Sequence, residues 1–451
     1  NYDLNNLPAF VYSIQGQHDQ GVSISDINGD DLPDLIKLRN LDEKKLFLND
    51  DKADLLTNIR SDKGATTTVA YKTNAEFLDG NNQLLNPKLP FTIDIVESLE
   101  VDDGFGNKNN KEYSYAEGTY YYKTPRNREF AVFGNSVKKD NPNLTGLTKT
   151  FYHQEESNSQ SNRGEYQDHI SKKGKPYRIE VFDSSNKLYK TTINTWDKIE
   201  LGPDRNFVFL AKTVEITYRT DNTHQDKAET YLYDPSTGNL IEKQEWGEVS
   251  ASDDGSFVDL GQDKFITIYA WAAPTQGYLV GFPSQETARD NSSAIVKETR
   301  FYYDNLSLGS VSKGNETKRE SRKNANSWID TEKTYNEFGL VIEEKDPRDK
   351  ITHYSYDLFN LYPSTTTNPL GHITSFVYDY SLGKPKRITD PNNFVFETIH
   401  DAIDRVIEEK QPDNQNPQGP LIPKATYLYQ DAIGSRFIKE TRHLDNNISV
   451  E

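Results

Sequence analysis

A chain of 451 residues is long enough for two to four domains or for one extended repetitive architecture. Its 70 Asp+Glu against 52 Lys+Arg leave a net charge of -18, which repels phosphate backbones and sets nucleic acid aside as a partner. Cysteine is absent, removing disulfides, thiolate metal sites and a Cys nucleophile together, and no apolar run approaches the roughly 18 to 20 residues of a membrane span.

Hydrophobic residues make up 34% of the chain while aromatics reach 12%, with 27 Tyr and 21 Phe. A polar chain rich in Tyr, Phe, Thr, Val and Ile favours half-buried strands, so the fold class expected is all-β. The chain opens on Asn1 with no initiator Met and no signal peptide, so it is expected to be a processed product or an excised piece.

Residues 1–58 contain "SDINGDDLPDLI", Ser25 to Ile36. Asp26, Asn28, Asp30 and Asp34 stand at relative places 1, 3, 5 and 9, and the Leu32 carbonyl falls at place 7. Calcium takes six to eight oxygens at about 2.3 to 2.6 Å, and this alternation wraps oxygens round one point. An EF-hand would need Glu at place 12, where Lys37 stands, so that reading fails. The loop resembles those of FG-GAP β-propeller blades, an Asp-x-Asn-Gly-Asp-Gly-x-x-Asp turn between two strands, with Asp31 in place of the usual Gly. The expectation is a structural calcium ion between the strands "GVSIS" and "LPDLIKLRN"; a metal-free polar turn is the alternative.

Residues 59–164 read as a β-rich transition segment: a strand at "GATTTVAYK", a hairpin with a Gly-rich tip in "LPFTIDIVESLEVDDGFGNKNNKEYSYAEGTYYY", and one further strand in "REFAVFGNSVKK". The run from His153 to His169 is rich in Ser, Asn, Gln and Glu and is predicted to be an exposed loop.

From about residue 165 a continuous sheet is expected, degenerate and with insertions over 165–330 and regular over 331–451. Tyr335, Tyr356, Tyr378 and His400 are spaced by 21, 22 and 22 residues, and Pro347, Pro369, Pro391 and Pro412 keep the same period. Gly339, Asn360, Gly383 and Asp404 follow the anchors and suit a left-handed turn. Asp346-Pro347, Asn368-Pro369 and Asp390-Pro391 supply a second turn. Two turns per period predict one β-hairpin per repeat, with strands of roughly 6 to 8 residues stacking into a continuous sheet. Weaker copies occur at Tyr233-Asp234 and Tyr303-Asp304. The repeat tyrosines are expected to form a structural ladder rather than a sugar-binding surface, His400 to be a satisfied histidine rather than a pH-sensitive seam, and the "EEK" runs at Glu343 and Glu408 to be solvated strand edges.

The eight histidines form no His-x-x-x-His pair, and neither a Gly-x-Ser-x-Gly elbow nor a phosphate-binding Gly-rich loop occurs, so the motifs of zinc hydrolases, serine hydrolases and nucleotide enzymes are missing. Carboxylates are abundant, but abundance alone does not make a glycosidase. No catalytic residue is expected.

The ordered phrases "GVSISDINGDDLPDLI", "DLLTNIRSDKGATTTVAYK", "LPFTIDIVESLEVDDGFG", "REFAVFG", "KGKPYRIEVFD" and "GYLVGFPSQET", followed by Tyr-Asp repeats, resemble the B component of Tc insecticidal toxin complexes and the related Salmonella virulence plasmid protein B family with Rhs (YD) repeats. The resemblance implies an FG-GAP-type β-propeller remnant followed by a curved repeat-built shell. It further implies a secreted, extracellular, non-enzymatic role: a C-type component or cargo toxin segment enclosed by the shell, and a pore-forming A-type component reached through the propeller. Only one blade's worth of propeller is present, and the Rhs closing segment with its self-cleaving site is missing, so the chain is expected to be a middle piece of a larger protein. A secreted or surface adhesion or carbohydrate-binding protein without cargo is the competing reading.

Overall fold

The computed structural model describes residues 22–27, 32–38, 44–48, 55–61, 64–140, 146–154, 163–166, 168–203, 205–221, 223–430, 437–444 and 448–450. Among them the regular structure is almost entirely antiparallel strand, with two single-turn 3₁₀ helices at Asn74–Glu76 and Ile170–Lys172. No helix among the described residues is long and apolar enough to cross a membrane. The chain divides into two compact units, one comprising Asn1–Ser61, Ala65–Thr230 and Trp246–Gly261, the other Asp62–Gly64, Tyr231–Glu245 and Gln262–Glu451.

In the first unit, Val22–Ser25, Asp34–Leu38 and Lys44–Phe47 make a three-stranded antiparallel meander in which Ser25 faces Asp34. The strands expected on both sides of the Asp26–Asp34 loop are therefore present and paired. A second ladder runs Asn58–Arg60, Thr66–Thr73, Asp94–Asp102, Lys108–Ala116, Asn135–Asp140, Leu147–Tyr152, Pro176–Phe182, Leu188–Gly202, Arg205–Tyr218 and on to His224, each strand antiparallel to the next. The continuous sheet thus begins at residue 58 rather than near 165.

The hairpin of the transition segment forms between Asp94–Asp102 and Lys108–Ala116, Asp102 pairing with Lys108 around Gly104 and Gly106 at φ 80° and 99°, while Tyr120–Thr124 at its expected end pairs separately with Asn127–Phe130. The single strand expected in "REFAVFGNSVKK" is instead two, Asn127–Phe130 and Asn135–Asp140. Val132 between them is left-handed at φ 62°, which no extended strand accommodates. Ile193, Val214, Ile216, Ala228 and Val249 are buried together, with Trp246 and Phe257 packed against them. Alternate residues of neighbouring strands project to one face and meet there. Gly164 and Gly255 come close enough to Ile193 that a Cβ would lie 2.3 and 2.8 Å from its Cγ2; a larger residue at either place would push into this core.

The second unit carries the repeats. Strands of five to seven residues alternate with turns from Val341 to Gln411. Six turns open on Asn336, Asp346, Asp357, Asn368, Asp390 and Asp401, whose side-chain oxygen accepts the backbone N–H four residues on; at Asp379 the backbone carbonyl accepts that N–H, from Gly383, instead. Gly339, Asn360, Gly383 and Asp404 lie at φ 77°, 54°, 67° and 68°, the left-handed positions expected from their residue types. In every repeat the ladder slips just before the anchor, between Thr334/Tyr335, Ser355/Tyr356, Val377/Tyr378 and Ile399/His400, so the 22-residue period is one of register as well as of sequence.

The tyrosine ladder is built from specific bonds. The hydroxyls of Tyr303, Tyr335, Tyr356 and Tyr429 donate to the carbonyls of Pro283, Glu316, Val341 and Val406 at 2.8, 2.7, 2.9 and 2.9 Å. Each acceptor is the first residue of the preceding neighbour strand. Tyr378 departs from the pattern, its ring stacked on Tyr362 at 4.5 Å. The "EEK" runs are not edges: Val341–Lys345 and Val406–Gln411 are each paired on both sides. Their charges are balanced across strands, Lys345 with Glu332 at 3.2 Å and Glu409 with Lys424 at 3.2 Å.

Candidate functional site

The densest buried polar arrangement among the described residues lies in the first unit, where the strands ending at Ala116 and Tyr152 meet the turn that opens the strand Pro176–Phe182. Three carboxylates, a histidine, two tyrosines and three amides converge here. A cavity of about 430 Å³ is lined by Glu117, Gly134, Tyr152, Gln154, Glu165 and Tyr177 among others.

The backbone around it is under local strain. Glu117 at φ 59° and Val132 at φ 62° are both left-handed, a conformation that costs an L-residue about 1 to 2 kcal/mol. The buried Gln154 amide holds both in place, donating to the Glu117 carbonyl at 2.8 Å and the Val132 carbonyl at 2.9 Å. Asn135 donates to the Glu117 carboxylate at 2.9 Å, and Asn86 bridges from the Tyr115 carbonyl to the Gly118 N–H. Gly134 is needed for contact: a Cβ there would lie 2.8 Å from Gln154 Oε1 and 2.9 Å from Glu117 Cβ.

Beside the cavity His153 is wholly buried and Glu165 is 5% exposed. His153 Nδ1 lies 3.0 Å from Asp168 Oδ1 and 3.6 Å from Glu165 Oε1. Asp168 also accepts the N–H of His169 at 2.8 Å and that of Gln154 at 3.3 Å. The His153 ring packs on Tyr177, with centroids 5.3 Å apart. Burial pushes the Tyr177 hydroxyl far above its ordinary range, with the charges of Glu165 and Glu117 adding to it, so this group stays a neutral phenol. Lys172 is buried too, its ammonium donating to the Tyr166 carbonyl at 3.2 Å; burial lowers its pKa against the opposing pull of Asp197 and Asp168.

These positions correct the reading of His153 to His169 as an exposed loop at its described ends, while residues 155–162 and 167 lie outside the described residues. His153, Gln154 and Glu165 are buried, because the two ends of the segment return to the same place on the sheet. Sequence reasoning passed over the group because His153, Glu165 and Asp168 sit in a polar, low-complexity setting. The one available signal was a His with two acidic residues 12 and 15 positions on.

Of the residues expected to bind calcium, Asp26, Leu32 and Asp34 are described, while Asn28 and Asp30 lie outside the described residues. Asp34 is completely buried at the start of its strand and its carboxylate accepts the Ile27 N–H at 2.8 Å. Asp26 accepts the Thr92 hydroxyl at 2.6 Å, which ties the mouth of the loop to the sequence after the strand Thr66–Thr73.

Residues 9–159 match a family model described as the insecticide toxin TcdB middle/N-terminal region. No curated protein matches the chain significantly. Among solved structures the fold is similar to that of a TcdB2-TccC3 crystal structure, with TM-score 0.67 and 14% identity over 91% of this chain and 29% of that one. It is likewise similar to TcdB2-TccC3 without its hypervariable C-terminal region, with TM-score 0.66 and 14% identity over 91% of this chain and 28% of that one. A Photorhabdus luminescens Tc holotoxin pore carrying a TccC3 substitution matches with TM-score 0.65 and 14% identity, over 89% of this chain and 26% of that one. The chain spans less than a third of the length of these solved chains.

Proposed function

We propose that this chain, whose residues 9–159 match the TcdB middle/N-terminal region, is a non-enzymatic structural component of a secreted toxin-complex shell that encloses a cytotoxic polypeptide and helps to deliver it. The observation that carries this reading is the unbroken succession of antiparallel hairpins, set beside a fold shared with TcdB2-TccC3 over 91% of the chain. In a hairpin ladder every strand's backbone groups pair with its neighbours, and half-buried side chains on it offer many weak contacts to a cargo. On this proposal the partners are a C-type component or its cargo segment, and a pore-forming A-type component reached through residues 1–58 as a propeller blade, with 59–164 as transition and 165–330 and 331–451 as irregular and regular repeat wall.

Co-expression with a C-type component tests the proposal. The expected result is a complex that survives purification and in which the C-terminal segment of the C-type component resists protease. Cleavage of that segment at the same rate with and without this chain would refute it. The carbohydrate-binding reading draws on one observation, the solvent-exposed Phe359 and Tyr380 beside the Tyr362–Tyr378 stack; glycan binding lost in Tyr380→Ala, with no complex formed, would favour it instead.

Calcium belongs to the same proposal. Asp26, Asn28, Asp30, the Leu32 carbonyl and Asp34 would hold one ion that fixes the loop between two paired strands, and Asp30→Ala should lower the melting temperature in calcium to that seen with chelator. An unchanged calcium response in the variant removes the site.

A further inference from the structure

We propose that His153, Glu165 and Asp168 bind a single divalent transition-metal ion of zinc's ligand preference, at a site separate from the calcium loop. One donor atom from each residue lies within 4.8 Å of the others, and two of the separations are 3.0 and 3.6 Å. Ligand atoms about 2.0 to 2.1 Å from a tetrahedral zinc stand roughly 3.3 Å apart, so the group needs only small side-chain adjustments to close on an ion. One imidazole with two carboxylates is a donor set that suits zinc better than calcium or magnesium, which prefer oxygen alone.

The ordinary alternative is a histidine kept for structure, hydrogen-bonded to Asp168. That alternative pairs Nδ1 with Asp168 alone, whereas a second buried carboxylate, Glu165, lies 3.6 Å from the same nitrogen. If the proton sits on Nε2, the Nδ1 lone pair faces two carboxylates, and a cation is what turns that repulsion into coordination. The supporting shell is in place: Asp168 is held by the N–H groups of Gln154 and His169, and the His153 backbone bonds both to the Lys175 carbonyl and from the Gly174 N–H. Holding ligands in position in this way is what raises metal affinity.

An ion here would tie His153, at the end of one strand, to two residues that enter the next. It would close that connection much as a cross-link does, with most of the effect on the unfolded chain. Glu165 also lines the neighbouring cavity, so metal binding and the shape of that cavity are linked through one side chain.

The test uses untagged chain stripped with chelator and titrated with zinc in excess calcium, which keeps the Asp26–Asp34 loop out of the measurement. One zinc per chain is expected, with affinity falling more than about 100-fold in Glu165→Gln and in Asp168→Asn. Equal zinc uptake by wild type and both variants, or none by wild type, overturns the proposal. Circular dichroism shows whether the variants fold. If they do not, X-ray absorption of the zinc-loaded wild type decides: one imidazole with oxygen neighbours supports the site, and two or more imidazoles overturn it.

Discussion

Replacing Asp304 by Asn should destabilise the second unit by about 2 kcal/mol at neutral pH, and the loss should vanish in acid. Asp304 follows the buried Tyr303 of a degenerate repeat, and its carboxylate accepts four backbone N–H groups, from Ser312, Lys313 and Gly314 at 2.8, 2.7 and 3.0 Å and from Asn315 at 3.0 Å. Burial pushes this carboxyl up, but the four donors outweigh that and hold it at about 2 against an ordinary 3.8. At 1.36 kcal/mol for each pKa unit, the difference corresponds to about 2 kcal/mol. Because the folded value lies below the unfolded one, the contribution is complete above about pH 5 and is lost as the pH falls towards 2. Asn keeps the left-handed φ of 56° that this position requires, so backbone strain does not confuse the comparison. Urea unfolding followed by circular dichroism at pH 7, 4 and 2.5 measures it. A wild-type advantage that is the same at all three pH values, or below about 0.5 kcal/mol at pH 7, would refute the four-donor account.

The tyrosine ladder predicts that Tyr335→Phe and Tyr356→Phe each lose about 1 kcal/mol in urea unfolding, the net worth of one hydrogen bond, since each hydroxyl donates to a neighbouring strand's carbonyl. At Asn360, φ 54°, Gly should be tolerated within a few tenths of a kcal/mol while Ala costs about 1 kcal/mol, read as the difference between the two variants' melting curves. Arg178 is 3% exposed and bonds Glu180 at 2.6 Å and Asp253 at 2.7 Å. Arg178→Met should therefore destabilise the first unit by about 3 kcal/mol or more, because Glu180 then stays buried with a weakened partner set. A normal denaturation midpoint in that variant would show that the pair is dispensable.

The sequence by itself determined the all-β class, the repeat period and the chemistry of its turns. These are local matters: Asp or Asn opening a turn, Pro after it, and Gly, Asn or Asp at the left-handed place act within five residues, and their recurrence at Asp346, Asn368 and Asp390 needs no knowledge of neighbours. The register of the ladder follows from the same turns, which is why Tyr335, Tyr356 and Tyr378 share one structural position. Only the tertiary structure decided what each strand has beside it. Glu343–Lys345 and Glu408–Lys410 read as solvated edges, yet lie inside the sheet, because cross-strand lysines and carboxylates neutralise one another once paired. His153, Glu165 and Asp168 read as part of a polar loop, yet meet in the interior. Burial of a polar group is settled by what the fold brings against it from elsewhere in the chain, here Tyr177 and the left-handed turns at Glu117 and Val132, and no local pattern records those partners.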